Sequence, residues 1–147
     1  MQINVGVTVP AEPARVWADL EDISSHVDWM ADAESIEFLS PATEGVDTSF
    51  VCVTKVGPIR LRDTMTVTEW APKESIAIRH EGLVRGRGRF SLDPLPDGQT
   101  RFTWTEALRL PWWLAGPAGE IVAKPVLRRI WEGNLRRFAA RFEKGDG

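Results

Sequence analysis

The stretch TSFVCVTKVGPIRLRDTMTVTEW, residues 48–70, consists of two alternating segments on either side of a glycine–proline pair. In the second segment one face is apolar except for a single acid, and it is formed by Ile59, Leu61, Asp63, Met65 and Val67. A period of two residues is typical of a β-strand with one buried face. Gly57-Pro58 is typical of a tight turn. The stretch therefore predicts an antiparallel hairpin made of Thr48–Val56 and Ile59–Trp70.

Strands are also predicted on both sides of this hairpin, at Gln2–Val9, Ser35–Leu39, Ser75–Glu81, Leu83–Leu92 and Thr100–Leu110. The last two are separated by a predicted loop that contains Pro94, Pro96, Asp97 and Gly98. Two short helical segments, Pro13–Leu20 and Asp22–Val27, follow the first strand. Because no long helix separates the six strands after residue 33, we expect one antiparallel sheet.

The C-terminal segment has a different period. Between Gly119 and Phe142, apolar residues recur at helical spacing and arginines fill the opposite side, which predicts one long amphipathic helix. Pro125 lies inside it and predicts a kink or a break near its beginning. The order is thus one strand, two short helices, six strands and one long helix. This order predicts an α+β fold in a single domain spanning residues 1–147.

The composition is that of an ordinary globular protein. Of 147 residues, 43% are hydrophobic and 27% are charged, and no apolar run reaches the ~18–20 residues that span a bilayer. Cys52 is the single cysteine, which excludes an internal disulfide. No basic segment followed by an apolar core is visible at the beginning, so we expect no signal peptide and a cytoplasmic location. The net charge of −3 argues against nucleic acid as a partner.

Three short motifs and the long final helix carry a resemblance to a known superfamily. The motifs are VPAEPARVW at 9–17, HVDWM at 26–30 and TWTE at 103–106. Together with the order of elements, they resemble the START-like (SRPBCC, helix-grip, Bet v 1-like) superfamily, and in particular its polyketide cyclase/dehydrase-like branch. The resemblance implies seven antiparallel strands curved around the last helix, with a cavity between helix and sheet. It does not imply one activity, since this fold serves unrelated functions.

Alternation along the strands predicts which ionisable residues face that cavity. Asp63, His80 and Glu106 each share a strand face with apolar residues, so we expect them on one concave apolar surface. A buried carboxyl has a raised pKa, and a histidine can act as acid or base near neutrality. These three are the candidate catalytic residues, for deprotonating a carbon next to a carbonyl or for moving protons during ring closure and dehydration. The alternative is that a β-bulge turns one of them outward, or that His80 reaches solvent at its strand end.

The candidate ligand-binding residues are mostly aromatic or apolar, and two are glycines that leave room near the sheet: Trp29, Phe50, Met65, Gly86, Gly88, Phe90, Trp104, Trp112, Trp113, Val126 and Ile130. Sheet curvature alone is an equally good explanation of the two glycines. Trp112 and Trp113 lie in a loop before the final helix, where they could close the cavity or touch a membrane surface transiently. The alternative is that one of them packs under the helix and the other is half exposed. The resemblance makes Trp29 another candidate for the cavity mouth.

Arginines alternate along the opposite face of the sheet, at Arg85, Arg87 and Arg89, beside Arg60 and Arg62. This outer face is either solvated or a docking site for an acidic carrier protein. We expect no metal and no cofactor, because His, Cys and carboxylate residues do not occur at ligand spacing. The expected function is to bind a hydrophobic small molecule, as a cyclase/dehydrase-like acid–base enzyme. The alternatives are a non-catalytic carrier of a lipid, quinone or isoprenoid, and a protein-interaction module.

Overall fold

The structure is a computed structural model that describes residues 1–111 and 116–143. It contains seven strands, β1 to β7: Gln2–Val9, Ala33–Phe38, Ser49–Val56, Ile59–Ala71, Ser75–Glu81, Arg85–Leu95 and Gln99–Arg109. Its two α-helices are α1, Pro13–Leu20, and α2, Gly116–Glu143. Short 3-10 helices lie at Ile23–Asp28 and Pro96–Gly98. The predicted order of elements is confirmed.

The strands form one antiparallel sheet in the order β1-β7-β6-β5-β4-β3-β2. Consecutive strands from β2 to β7 are neighbours, while β1 pairs with β7 and forms the edge of the sheet opposite β2. The segment of α1 and the first 3-10 helix carries the chain from the β1 edge to the β2 edge. The predicted hairpin is confirmed, since Val56 pairs with Ile59 across the turn.

A register shift between Val67 and Glu69 interrupts the pairing of β4 with β5. It comes after the alternating segment, so the face predicted for Ile59 to Val67 is preserved. Beyond the shift the inward parity changes, and Trp70 pairs with Ile76 and packs edge-on against Trp17 at 5.3 Å between ring centroids. The register shift thus changes which residues at the end of β4 face the core without turning Asp63 away.

Helix α2 differs between its two halves. Its C-terminal half is packed into the core through Trp131, Asn134, Leu135, Phe138, Ala139 and Phe142. Phe138 lies 5.0 Å from Trp29 and 5.1 Å from Phe102 between ring centroids. In the N-terminal half, by contrast, Ile121 is 77% and Val122 is 70% exposed. The C-terminal half therefore anchors the helix, and the N-terminal half extends beyond the core.

The structure corrects several predicted boundaries. Helix α2 begins at Gly116 instead of Gly119 and continues through Pro125 without a break. Strand β6 runs to Leu95, so the predicted loop shrinks to a turn in which Asp97 and Gly98 have φ of 65° and 72°. Positive φ at both positions allows the tight reversal between β6 and β7. Within the described ranges, neither helix has the length and apolarity needed to cross a bilayer.

Candidate functional site

A cavity of about 690 Å³ lies between the sheet and the N-terminal half of α2. Its walls come from the inner faces of β2 to β7, from Ile23 and His26 of the first 3-10 helix, and from α2 between Ala118 and Trp131. Most of the lining is aliphatic or aromatic. Asp63, His80 and Glu106 all belong to it. The structure therefore brings the three candidate catalytic residues to one cavity.

His80 and Glu106 form a hydrogen-bonded pair in the wall of this cavity. Nε2 of His80 donates to Oε2 of Glu106 at 2.8 Å, and the two side chains are only 8% and 5% exposed. The other carboxylate oxygen, Oε1, accepts a hydrogen bond from the indole Nε1 of Trp104 at 3.0 Å. Both oxygens of Glu106 are thus occupied by N–H donors, which fixes the carboxylate and the imidazole ring together.

Gly88 explains how these two side chains meet. His80 lies on β5 and Glu106 on β7, so β6 runs between them. Gly88 of β6 pairs directly with Glu106, and a Cβ atom at Gly88 would lie 2.6 Å from the carboxyl carbon of Glu106. The glycine leaves the space in which the carboxylate lies over the strand. Gly88 was expected to leave room near the sheet, and in the structure the side chain of Glu106 takes up that room.

The surroundings of His80 favour its charged form. Burial alone lowers the pKa of this histidine, but the hydrogen bond and the charge of Glu106, together with the charge of Asp63, outweigh it and raise the pKa above 6.5. Nδ1 of His80 is buried and has no hydrogen-bond partner among the described residues. Since Nε2 is held by Glu106, Nδ1 is the ring nitrogen left for proton exchange.

Asp63 is the third ionisable group of the predicted set. Burial raises the pKa of its carboxyl group, and the backbone N–H groups of Val84 and Leu83, together with the positive charge of His80, oppose this only in part. Its Oδ1 is buried with no hydrogen-bond partner in the part of the chain that the structure describes. The ionised form of Asp63 is therefore disfavoured by burial and favoured by the positive charge of a protonated His80.

A second buried polar cluster, which the sequence did not predict, attaches α2 to the sheet. Asp32 accepts hydrogen bonds from Asn134 Nδ2 at 2.8 Å and from Trp131 Nε1 at 3.2 Å. Trp131 in turn stacks on Trp104, with ring centroids 4.8 Å apart and planes 16° apart. The one available signal was Asn134, a polar residue in the apolar stripe of the last helix. Nothing near Asp32 in the sequence marked it as buried.

Two further titratable groups line the cavity. His26 donates from Nε2 to the carbonyl oxygen of Leu20 at 2.8 Å, and burial lowers its pKa to about 4, so it is neutral near neutral pH. Burial raises the pKa of the Cys52 thiol to about 11. Cys52 therefore acts as a small apolar residue in the wall. The described residues contain no group of three His, Cys, Asp or Glu side chains placed to hold a metal ion.

The predicted ligand-binding residues divide into three groups. Those that line the cavity are Phe50, Met65, Gly88, Phe90, Trp104 and Val126. Those that lie outside its lining are Trp29, Gly86 and Ile130. Those that fall outside the described residues are Trp112 and Trp113.

The residues outside the lining have clear physical reasons for their positions. Trp29, a candidate for the mouth, is instead 1% exposed and packs among the rings of Phe90, Phe102 and Phe138. Gly86 has φ of 146°, and a Cβ atom there would meet the backbone of Ala107. Its role is in the close pairing of β6 with β7. On α2 the helical turn directs Trp131, not Ile130, into the cavity.

The arginines on the outer face of the sheet are exposed: Arg60, Arg62, Arg85, Arg87 and Arg89. Arg60 pairs with Glu34 at 2.9 Å, and Arg89 pairs with Glu69 at 3.1 Å. These are surface ion pairs of small energetic value. An acidic carrier protein as the partner of this face stays a prediction.

The whole chain resembles known proteins. The family model described as "Polyketide cyclase / dehydrase and lipid transport" matches residues 1–144. No curated protein sequence matches the chain.

Solved structures with the same fold cover nearly all of the chain. A protein from Thermus thermophilus has a TM-score of 0.83 at 19% identity, covering 100% of both chains. The Zhui aromatase/cyclase from Streptomyces sp. R1128 has a TM-score of 0.78 at 19% identity, covering 98% of this chain and 94% of its own. A START superfamily protein from Mycobacterium smegmatis has a TM-score of 0.77 at 14% identity, covering 97% of each chain. At these identities the likeness establishes the fold.

Proposed function

Because the chain belongs to the polyketide cyclase/dehydrase and lipid transport family, we propose that it moves a proton on a hydrophobic substrate held in its cavity. Family and fold together support a hydrophobic ligand-binding role. The finer proposal rests on one observation, the hydrogen bond of 2.8 Å between His80 and Glu106 inside a largely apolar cavity. A buried ionisable pair is costly to desolvate and adds little net stability, so its presence in a cavity favours a chemical role.

In the proposed reaction Nδ1 of neutral His80 takes a proton from a carbon next to a substrate carbonyl. The electron pair of the C–H bond passes into the enolate. Glu106 stabilises the imidazolium that results, because its carboxylate accepts the Nε2 hydrogen. Asp63, in its protonated form, donates a hydrogen bond to the carbonyl oxygen, where negative charge develops.

The proton then leaves His80 for a substrate hydroxyl group. The C–O bond breaks, water departs, and the enolate electron pair forms the new double bond, so the net reaction is elimination of water. The same groups serve a ring closure if the enolate attacks a second carbonyl and His80 protonates the new alkoxide. The apolar walls contribute by holding a flexible substrate in one folded conformation. The name of one structural neighbour, an aromatase/cyclase, supports this class of reaction.

A β-hydroxy ketone with a phenyl substituent is a suitable test substrate, since its dehydration gives a conjugated enone that is followed by absorbance. We expect turnover by the unaltered protein and a loss of about 10²-fold in Glu106→Gln. Glu132→Gln is the matched control, because Glu132 lies on α2 with 44% side-chain exposure and pairs at the surface with Arg128. Equal turnover by the Glu106 variant and the control would remove the pair from the mechanism.

A non-catalytic carrier of a lipid, quinone or isoprenoid is the second candidate. It is favoured by the apolar rim of the cavity, where Ile59, Val122 and Val126 are 45%, 70% and 46% exposed. Such a rim suits transfer from a membrane surface, and contact through Trp112 and Trp113 belongs to the same proposal. Mass spectrometry of an organic extract of the purified protein, with liposome flotation beside it, tests this role. The carrier role is supported if a lipid or quinone is extracted in near-stoichiometric amount and if Val122→Ser weakens vesicle binding. It is contradicted if the protein contains no ligand and does not bind vesicles.

A further inference from the structure

The charged groups in the cavity wall are unequally divided between the two signs. Three carboxyl groups line it, those of Asp32, Asp63 and Glu106. Among the described residues, the lining includes only one lysine or arginine, Arg89. Its guanidinium group points to the outer face, where it pairs with Glu69 at 3.1 Å with 57% side-chain exposure. The remaining groups that could be positive are therefore two imidazoles.

The hydrogen bonds indicate which of these groups carry charge. Asp32 and Glu106 each accept N–H donors at both oxygens, as carboxylates do. His80 balances the charge of Glu106 when it is protonated. His26 gives its Nε2 hydrogen to a backbone carbonyl and is neutral near neutral pH because burial lowers its pKa to about 4.

The charge of Asp32 is left without a counter-ion among the described residues of the cavity. Its hydrogen-bond donors, Asn134 and Trp131, are both uncharged side chains. Ionisation of Asp63 would add a second negative charge. Glu120, near the beginning of α2, adds no net charge, because it accepts the N–H of Leu110 at 3.2 Å and pairs with the N-terminal ammonium group of Met1 at 2.8 Å. The net charge of the described lining side chains is thus negative whether Asp63 is protonated or ionised.

We infer that the cavity selects uncharged or positively charged apolar ligands and rejects carboxylates and other anions, because Asp32 and Glu106 line it and, among the described residues, only His80 offers a compensating positive charge. This inference rests on the proposed function and narrows its ligand class. It favours ketones, alcohols, quinones and amines over free fatty acids and anionic lipid headgroups. An anion would lose its water and also meet unfavourable charges, whereas a cation would lose its water but meet favourable ones.

The test uses three ligands with one ten-carbon chain and different headgroups: decanol, decylamine and decanoate. Each is titrated at neutral pH, below its aggregation limit, against the protein loaded with the neutral fluorescent probe N-phenyl-1-naphthylamine. Desolvation alone penalises the amine and the acid alike, so the difference between their displacing concentrations reports the net charge of the cavity lining. We expect decanol to displace the probe, and decylamine to displace it at a concentration at least about tenfold below that of decanoate.

Asp32→Asn should narrow the difference in displacing concentration between decylamine and decanoate, while Glu132→Gln on the outer side of α2 should leave that difference unchanged. Decanol binding by each variant reports whether its cavity is intact. If decanoate binds as well as decylamine or better, the charge selection is overturned while the ligand-binding role stands. If the protein binds neither the probe nor decanol, the ligand-binding role fails and this inference fails with it.

Discussion

Gly88 of β6 and Glu106 of β7 are directly paired, and the carboxylate of Glu106 occupies the space that a side chain at position 88 would take. From there it reaches His80 on β5, at 2.8 Å. The ion pair of the cavity therefore depends on an absent side chain on the strand between its members. The hydrogen bond joins β5 to β7, and the carboxylate packs over Gly88 on β6, so the arrangement involves three neighbouring strands.

Gly88→Ala is expected to separate this pair. A Cβ atom would lie 2.6 Å from the carboxyl carbon of Glu106, which must then move away from His80. Because Glu106 raises the pKa of His80, its displacement should lower that pKa, as measured by NMR titration of the imidazole. Gly133→Ala is the control, since a Cβ atom there meets nothing closer than 3.6 Å and should stabilise α2 by about 0.5–1 kcal/mol. An unchanged His80 titration in Gly88→Ala would contradict the role given to this glycine.

Glu106→Gln should also lower the pKa of His80, because it removes the negative charge of the carboxylate without displacing the side chain. Without the carboxylate, burial dominates and the pKa of His80 falls. In the unaltered protein the raised pKa stabilises the fold below pH 6.5, and this contribution is lost as pH rises through the folded pKa. If neutral His80 is the base, turnover rises with pH through that raised pKa, and in the variant the rise moves to lower pH at a lower plateau. A pH–rate profile whose midpoint does not move would exclude His80 as the titrating base.

Alternation along single strands was enough to place Asp63, His80 and Glu106, because the bulge in β4 lies beyond Asp63. Spacing on one strand carries no information about the neighbouring strand, so the pairing of Gly88 with Glu106 could not be predicted. The resemblance makes Trp29 a candidate for the mouth, whereas long-range packing against the rings of Phe90, Phe102 and Phe138 buries it. The Asp32–Asn134 contact joins residues 102 positions apart, and only the folded chain reveals it.

Asp63→Asn should stabilise the protein at neutral pH. Burial raises the pKa of Asp63, so this group favours folding below its unfolded pKa of about 3.9, and the contribution is lost as pH rises through the folded value. An amide of the same shape has no charge to bury. We expect the Tm to rise by a few degrees at pH 7 and to match the unaltered protein at about pH 3, where both side chains are uncharged. Glu37→Gln, at an exposed position on β2, should show no such dependence, and a lower Tm at pH 7 for Asp63→Asn would contradict the argument.

Asn134→Ala should destabilise the attachment of α2. Asn134 is fully buried, donates to Asp32 at 2.8 Å and accepts the N–H of Ala31 at 2.9 Å. Its removal leaves a buried carboxylate short of a donor, which costs about 2–4 kcal/mol of unfolding free energy in a urea titration. Arg129→Ala, at an exposed position on the same helix, should change the stability by less than about 0.5 kcal/mol. A comparable loss of unfolding free energy in both variants would mean that the hydrogen bond between Asn134 and Asp32 does not stabilise the attachment of α2.

His26 should make the fold sensitive to mild acid. Burial lowers the pKa of this histidine from 6.5 to about 4, so the unfolded chain takes up its proton first and stability falls as pH drops through that window. The difference corresponds to about 3 kcal/mol, at about 1.4 kcal/mol per pH unit. His26→Gln keeps an N–H donor for the Leu20 carbonyl but does not titrate. Urea titrations at pH 7 and pH 4 should therefore show the variant losing less stability than the unaltered protein. His80→Gln should lose more stability than the unaltered protein between pH 7 and pH 4, because the pKa of His80 is raised. Equal losses of stability in all three proteins would contradict the pKa shifts assigned to His26 and His80.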